Sequence, residues 1–264
     1  MTLKEKCKFY QKQRDYVLDT NNFILVHIDG RSFSKMVKNK FEKPFSVNFV
    51  NMMDATASYL CEKIQGVQLA YVQSDEITLL LNKKTPESEI FFNGRLCKMQ
   101  SIISSLATGK FNQLMTLWHL KNQVTEYNTL DLISNMPLYQ FDCKVWEVPS
   151  YDEVIAWFLF RNIDCIRNSK QQTAQTYISH NILKNKTTDD QIKYLYEKEG
   201  IDWNKFDDNV KYGRLITKEY VECTRLENDK TINFTRGKWV IKNGFDLTLS
   251  ENRDKFKTFI NILS

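Results

Sequence analysis

Apolar and polar positions along the 264-residue chain change period several times, and each change marks an element. Phe23-Ile24-Leu25-Val26-His27-Ile28 is a short, mostly apolar run stopped by Asp29-Gly30. It predicts a buried strand whose end presents a carboxylate. After Pro44, the residues Phe45, Phe49, Met52, Met53, Leu60 and Ile64 recur at spacings near three and four up to Gly66, a helical face. Gln68 to Gln73 and Ile77 to Leu81 read as strands, with Ser74-Asp75-Glu76 as the tight turn between them. Helical spacing returns from Ile90 to about Trp118 through Phe92, Leu96, Met99, Ile103 and Leu106, and Phe141, Cys143 and Val145 then alternate as in a half-buried strand. The order β-α-β-β-α-β predicts an α+β chain with the ferredoxin-like, split-βαβ arrangement: an antiparallel sheet with both helices on one face.

Beyond Pro149, Ser150 with Glu153 forms a capping box opening a helical stretch toward Leu183, and Thr188 with Gln191 opens another that ends at Gly200. From Tyr212 the chain is expected to be extended, with turns at Asn228-Asp229 and Lys242-Asn243-Gly244, before a final helix capped by Ser250. Eight Gly and four Pro supply no flexible linker. The expected division is therefore a ferredoxin-like domain over 1–149, to which a family resemblance gives the catalytic role, and a helical lobe with an extended tail over 150–264, packed as one body.

Composition narrows the functional classes. A net charge of +5 is far below the dense basic surface of a protein held on nucleic acid mainly through phosphates, so any RNA contact is local. No stretch approaches the ~20 apolar residues of a membrane span, and Met1-Thr2-Leu3-Lys4-Glu5-Lys6-Cys7 opens no signal or transit peptide. The six cysteines are scattered without a Cys-x-x-Cys pair, which argues against zinc and disulfides and for reduced thiols in the cytoplasm. His27 is read as lying on the strand face opposite Asp29, packed or hydrogen-bonded rather than ligating, and Trp157, Phe158 and Phe160 as core.

In this topology the end of the first strand lies beside the tip of the central hairpin, so Asp29 and Asp75 converge. Carboxylates, backbone carbonyls and water suit Mg²⁺, and two such ions can activate an attacking oxygen and stabilise a leaving group in phosphoryl displacement. Taken alone, Asp29-Gly30 is as readily a turn and Ser74-Asp75-Glu76 a polar hairpin tip. The surrounding residues decide between the two. His27-Ile28-Asp29-Gly30-Arg31-Ser32-Phe33, Phe41-Glu42-Lys43-Pro44, Tyr71-Val72-Gln73-Ser74-Asp75-Glu76 and Phe141-Asp142-Cys143-Lys144-Val145 resemble, in this order, four elements of the tRNA-histidine guanylyltransferase family. That family's catalytic domain is similar to the palm of ordinary polymerases, and the resemblance spans about Asn22 to Asp164.

The resemblance implies two Mg²⁺ ions held by Asp29, Asp75 and the Gly30 carbonyl, with Glu76 supporting the catalytic pair. It implies nucleotide or phosphate contacts from Arg31, Ser32, Phe33, Lys43 and Ser74. Arg95 and Lys98 occupy the places of the family's basic pair, on one helical face, as triphosphate ligands. It also implies tRNA, ATP, GTP and other nucleoside triphosphates as partners, no membrane, and a homo-oligomer, expected as a tetramer. Two departures qualify it. After the shared Asp164-Cys165 the chain reads Ile166-Arg167-Asn168-Ser169-Lys170, where dedicated histidine-tRNA enzymes carry an HINNL-type tract; and Cys143-Lys144 replaces the commoner small residue and Arg. These point to the family's like-protein branch, associated with template-dependent 3′-to-5′ repair of 5′-truncated tRNAs. The alternatives are a dedicated histidine-tRNA enzyme, a palm-fold cyclase or conventional polymerase, and a catalytically silent RNA-binding protein.

Overall fold

Six strands form one antiparallel sheet in the order β4-β1-β3-β2-β5-β6: β1 (Phe23–Gly30), β2 (Val67–Gln73), β3 (Glu76–Leu81), β4 (Phe141–Val148), β5 (Arg214–Glu227) and β6 (Lys230–Asn243). The computed structural model describes residues 1–13, 16–123, 133–227 and 230–260. The first four strands have the predicted ferredoxin-like arrangement, and the expected extended tail adds the long β5–β6 hairpin beside β2. The turn expected at Asn228-Asp229 lies outside the described residues.

Alternation along the strands sorts side chains between two cores. Ile24, Val26 and Ile28 of β1 join the cluster built with α3 (Val47–Lys63) and α4 (Leu96–Gln123). Leu25 joins the opposite cluster, where Val154 and Phe158 of α5 (Tyr151–Tyr177) and Phe256 of a C-terminal helix (Ser250–Lys257) cover the sheet. Every residue of β2 is buried because both faces are covered. The two helices of the ferredoxin-like unit thus share one face, as expected, and α5 supplies a third layer on the other.

Several boundaries differ from the sequence pattern for local reasons. A first helix, α1 (Leu3–Lys12), and α2 (Phe33–Lys40) are not marked by it, since α2 buries only Phe33 and Met36. Phe92, Asn93 and Gly94 all have positive φ, which breaks the helical spacing of Ile90–Trp118 so that α4 begins only at Leu96. A side chain at Gly94 would lie 2.8 Å from the Leu18 carbonyl, because the incoming chain bonds there through the Leu18 N–H to the Gly94 carbonyl. After α5 come α6 (His180–Leu183), α7 (Thr188–Glu199) and α8 (Asp208–Lys211), with the C-terminal helix as α9. Thr187, one residue before the expected position, caps α7 by accepting from the Asp190 N–H at 3.2 Å. Likewise Leu249 rather than Ser250 is the cap position of α9. At Ser150 the predicted box is a hydroxyl-to-carboxylate bond to Glu153, without the backbone cap.

One buried amide ties α5 to the rest of the sheet. Asn162 is fully buried; its Nδ2 donates to the carbonyls of Tyr212 (3.1 Å) and Phe245 (3.3 Å), and its Oδ1 accepts from the Leu247 N–H at 2.9 Å. The Tyr71 hydroxyl donates to the same Tyr212 carbonyl at 2.8 Å, and Gly213 is tolerated there at φ +80 because a side chain would strike the Tyr71 ring. Asn162→Ala strands the Leu247 N–H and the Phe245 carbonyl, while Tyr71 still donates to Tyr212, so we expect a loss of roughly 2–4 kcal/mol in guanidinium unfolding. A loss below about 1 kcal/mol would show that Asn162 does not hold the layers together.

Candidate active site

The end of β1 meets the β2–β3 turn. Asp29 pairs in register with Glu76 on one side and Asp142 on the other, and the Gly30 N–H donates to the Asp75 carbonyl at 3.1 Å. The two-residue turn is closed by Gln73 opposite Glu76, with Ser74 at φ 44 and its hydroxyl donating to the Asp75 carboxylate at 2.9 Å. Gly30 is required sterically: a side chain there would come within 2.5 Å of the Phe33 ring, which packs beneath it. Four acidic side chains therefore gather at one end of the sheet.

Their environment resists ionisation. Burial, then the charges of Asp75 and Asp142, pushes the Asp29 carboxyl above the usual carboxylate range, although Lys144 and Arg161 pull against this. Burial likewise raises Asp75 and Glu76, the latter opposed chiefly by Arg161. Arg161 of α5 is the main counter-charge: its Nε lies 3.3 Å from Glu76 and its Nη2 2.5 Å from Asp164, and its plane rests 4.7 Å over the Phe160 ring. Phe160 is half exposed, unlike its core neighbours Trp157 and Phe158, so one of the three expected core aromatics serves as a platform instead.

His27 corrects an expectation. Two residues from Asp29 along a strand, it shares that face rather than the opposite one. Its Nδ1 bonds Thr78 Oγ1 at 3.2 Å, its ring meets Trp157 edge-on, and burial lowers its pKa to about 4. It is packed and hydrogen-bonded, as expected.

Beside the carboxylates, between α2, α3 and the second half of α5, lies a cavity of about 500 Å³ lined by Lys43, Ser74, Asp75 and Arg214 among others. Lys43 and Ser74 thus line the same cavity as Asp75. Ser32, at φ 61, starts α2 without a side-chain cap, which leaves that helix's first N–H groups for another acceptor. The side chains of Phe33 and Arg31 are engaged by the protein itself. The Phe33 side chain is 1% exposed in a cluster with Phe111 and Phe141, so only its backbone can meet a ligand. Arg31 is tied to Gln140, its Nη1 donating at 3.2 Å.

Arg95 and Lys98 do not reach the site within one chain. Arg95 precedes α4 and bridges to Val17; it is Thr108, three turns further on, whose hydroxyl bonds the N–H of Phe141, the partner of Gly30. At 1.5 Å per residue the two positions are roughly 20 Å apart along the helix. The expected common helical face also fails, since Arg95 has extended backbone and only Lys98 is helical, its Nζ 5.7 Å over the Phe92 ring.

Asp142, Arg161 and Arg214 are the residues the sequence pattern did not single out. Asp142 stood inside a quoted element, and strand alternation from Phe141 would have placed it on the Asp29 face. The two arginines sit far along the chain and carry no local signal. All donors around the pair are oxygens, from Asp29, Asp75 and backbone carbonyls. Among the described residues no group of three His, Cys, Asp or Glu side chains is placed to hold a metal unaided. An oxygen-only, repulsive, partly desolvated set fits a hard divalent cation that keeps water and takes further ligands from phosphate.

The family model described as tRNAHis guanylyltransferase matches residues 4–149. An uncharacterized protein of Acanthamoeba polyphaga mimivirus is 29% identical over 236 residues, covering 85% of this chain and 80% of its own length. The tRNA(His) guanylyltransferase of Debaryomyces hansenii is 24% identical over 230 residues, 83% of this chain and 82% of its own. Among solved structures, a bacterial tRNA(His) guanylyltransferase-like protein in complex with ATP matches with a TM-score of 0.81 and 26% identity, covering 98% of this chain and 99% of that one. A bacterial protein of the same description in complex with GTP matches at 0.74 and 27%, covering 97% and 98%.

Removing Arg161 leaves Glu76 without its guanidinium partner and Asp164 with Arg167 alone. Arg161→Met is therefore expected to cost roughly 3 kcal/mol, read by denaturant unfolding, and the further change Glu76→Gln to recover part of it. Additive losses in the double variant would mean the two side chains are not coupled.

Proposed function

The chain belongs to the tRNAHis guanylyltransferase family of nucleotidyltransferases, and on that footing we propose that it adds nucleotides 3′-to-5′ to the 5′ end of truncated tRNA, directed by the opposing template strand. The observation that carries the proposal is the convergence of Asp29 and Asp75, locked by the Gly30 N–H to Asp75 carbonyl bond and both held above their usual pKa by burial. Such carboxylates are unfavourable unless a cation uses them.

Two Mg²⁺ ions held by Asp29, Asp75 and the Gly30 carbonyl would neutralise phosphate charge and lower the pKa of an attacking hydroxyl. In the reaction, the RNA 5′-monophosphate attacks the α-phosphorus of ATP and releases pyrophosphate to give the adenylylated end, or the end carries a triphosphate already. The 3′-hydroxyl of the incoming nucleotide gives up its proton and forms the new bond to the α-phosphorus of the RNA 5′ end, while the bond from that phosphorus to the departing AMP or pyrophosphate breaks. Around it, Lys43 compensates triphosphate charge, Ser74 fixes the Asp75 carboxylate, and the uncapped start of α2, at Ser32 and Phe33, offers backbone N–H groups to phosphate oxygens. Glu76, braced by Arg161, keeps the Asp29 strand end in place.

The reading extends to the partners: the enzyme works as a homo-oligomer, a tetramer by family likeness, in the cytoplasm, where its six free thiols stay reduced. Dedicated histidine-tRNA guanylylation is the second reading, favoured by the names of the curated relatives such as that of Debaryomyces hansenii. The replaced tract favours the first. Of Ile166 to Lys170, only Asn168 and Ser169 line the cavity, and Ser169 and Lys170 are engaged by Trp203 and Asp189 at 3.2 and 2.6 Å.

Asp29→Ala and Asp75→Ala should each lower addition to a 5′-labelled, 5′-truncated tRNA by roughly 1,000-fold or more. Stability should not fall, since burial and repulsion already oppose these charges. Turnover within about tenfold of wild type would remove the carboxylates from the reaction. On tRNAs of several identities, the nucleotide added should follow the opposing base when that base is changed. Addition of G alone, confined to tRNA-histidine, would establish the second reading instead.

A further inference from the structure

One buried charged group of the cavity is not accounted for by the reaction above. Arg214 opens β5 opposite Val72, two positions before the Ser74-Asp75 turn, and is 3% exposed on the cavity's inner wall. Its Nε donates to Asp54 Oδ1 at 2.7 Å and its Nη1 to the Asn209 carbonyl at 3.3 Å. Its Nη2 is buried with no partner among the described residues, as is Ser46 Oγ on the same cavity. An unused buried donor costs about 1–3 kcal/mol, a cost that a ligand entering the adjoining cavity would relieve by bringing an acceptor to it.

Charge and edge chemistry select that acceptor. A guanidinium matched by a carboxylate at 2.7 Å has little net charge left for phosphate, which Lys38 and Lys43 at the same cavity are placed to meet. It still has N–H groups to give to a neutral acceptor. Phe45, Phe49 and Val210 supply apolar wall for a planar ring. Guanine offers N7 and O6 side by side, and one nitrogen donor can bridge them; adenine sets an amino donor beside N7, donor against donor.

We propose that Arg214, positioned by Asp54, is a specificity-determining residue that favours a 6-keto purine nucleotide in this cavity. The inference rests on the reading of the cavity as a nucleoside triphosphate site. The preference belongs to the complex with nucleotide alone, and template pairing acts on top of it.

Calorimetric titration of the full chain with GTP, ITP, 7-deaza-GTP, ATP and inorganic triphosphate tests it. ITP should bind within about threefold of GTP, and ATP and 7-deaza-GTP at least about tenfold more weakly. The paired change Asp54→Leu/Arg214→Met, which leaves no orphaned carboxylate, should bring GTP down to ATP while inorganic triphosphate is unchanged. Equal binding of GTP and ATP by the wild type, or a variant that keeps the wild-type ratio, overturns the inference. So does a variant that loses inorganic triphosphate as strongly as GTP, since the guanidinium would then serve phosphate. Should the variant fail to fold, the wild-type analogue series decides alone. Binding of all triphosphates without discrimination overturns only this inference, whereas no binding of any of them overturns the nucleotide reading beneath it.

Discussion

Like charges held at the end of a buried sheet repel one another, and much of what surrounds Asp29 exists to make that tolerable. The register of β1 against β3 and β4 puts Glu76 and Asp142 on either side of it, and the turn brings Asp75 to the same end. Nothing local separates them, because strands in a ladder stand ~5 Å apart. The fold's answers are a cation on the covering helix, Arg161, another on β4, Lys144, and partial desolvation that leaves Asp29 and Asp75 reluctant to ionise. The residual repulsion is what a divalent cation with a triphosphate would relieve, so the instability of the bare site and its proposed chemistry have one source.

This makes α5 more than a cover. Within a few turns it contributes Phe158 to the second core, Arg161 to the acidic end, Asn162 to the backbone junction at Tyr212, Phe245 and Leu247, and Asn168 and Ser169 to the cavity wall. The junction through Asn162 sits one residue from Arg161, so the interaction that fixes the layers also fixes the counter-charge. The same junction fixes the start of β5, where Arg214 sits next to Gly213. Packing and site geometry are thus coupled through a short stretch of one helix.

What was legible in the sequence follows from range. The four-strand order, the β2–β3 turn and the convergence of Asp29 with Asp75 were readable because each rests on a local period or turn signal, and topology does the rest. The start of α4 was not, since Phe92 and Asn93 take left-handed backbone where the 16–18 segment bonds across Gly94, a contact that no local spacing announces. Arg95 and Lys98 show the limit of a motif. Their spacing matched the family's basic pair, but a helix of the observed direction carries them to the end of the sheet away from the carboxylates. Arg214 was invisible for the opposite reason: its partner Asp54 lies 160 residues away, and no spacing rule spans that distance.

The departure from the family's pattern after Asp164-Cys165 gains a physical meaning here. Trp203 donates to Ser169 and Asp189 pairs with Lys170, so these positions bind α5 to the helical lobe. Arg167 turns back to Asp164 at 2.9 Å, which leaves Asn168 as the tract's side chain on the cavity without such a tie among the described residues. A short polar amide reads little of a long RNA element, and the chain's net charge of +5 offers no broad basic track to replace it. In the proposed reaction, selection of the substrate then falls on what touches the nucleotide and on pairing across the 5′ gap. For that reason the proposed template-dependent repair and the proposed reading of a base by Arg214 fit together: one acts on the paired strand, the other on the nucleotide before it pairs.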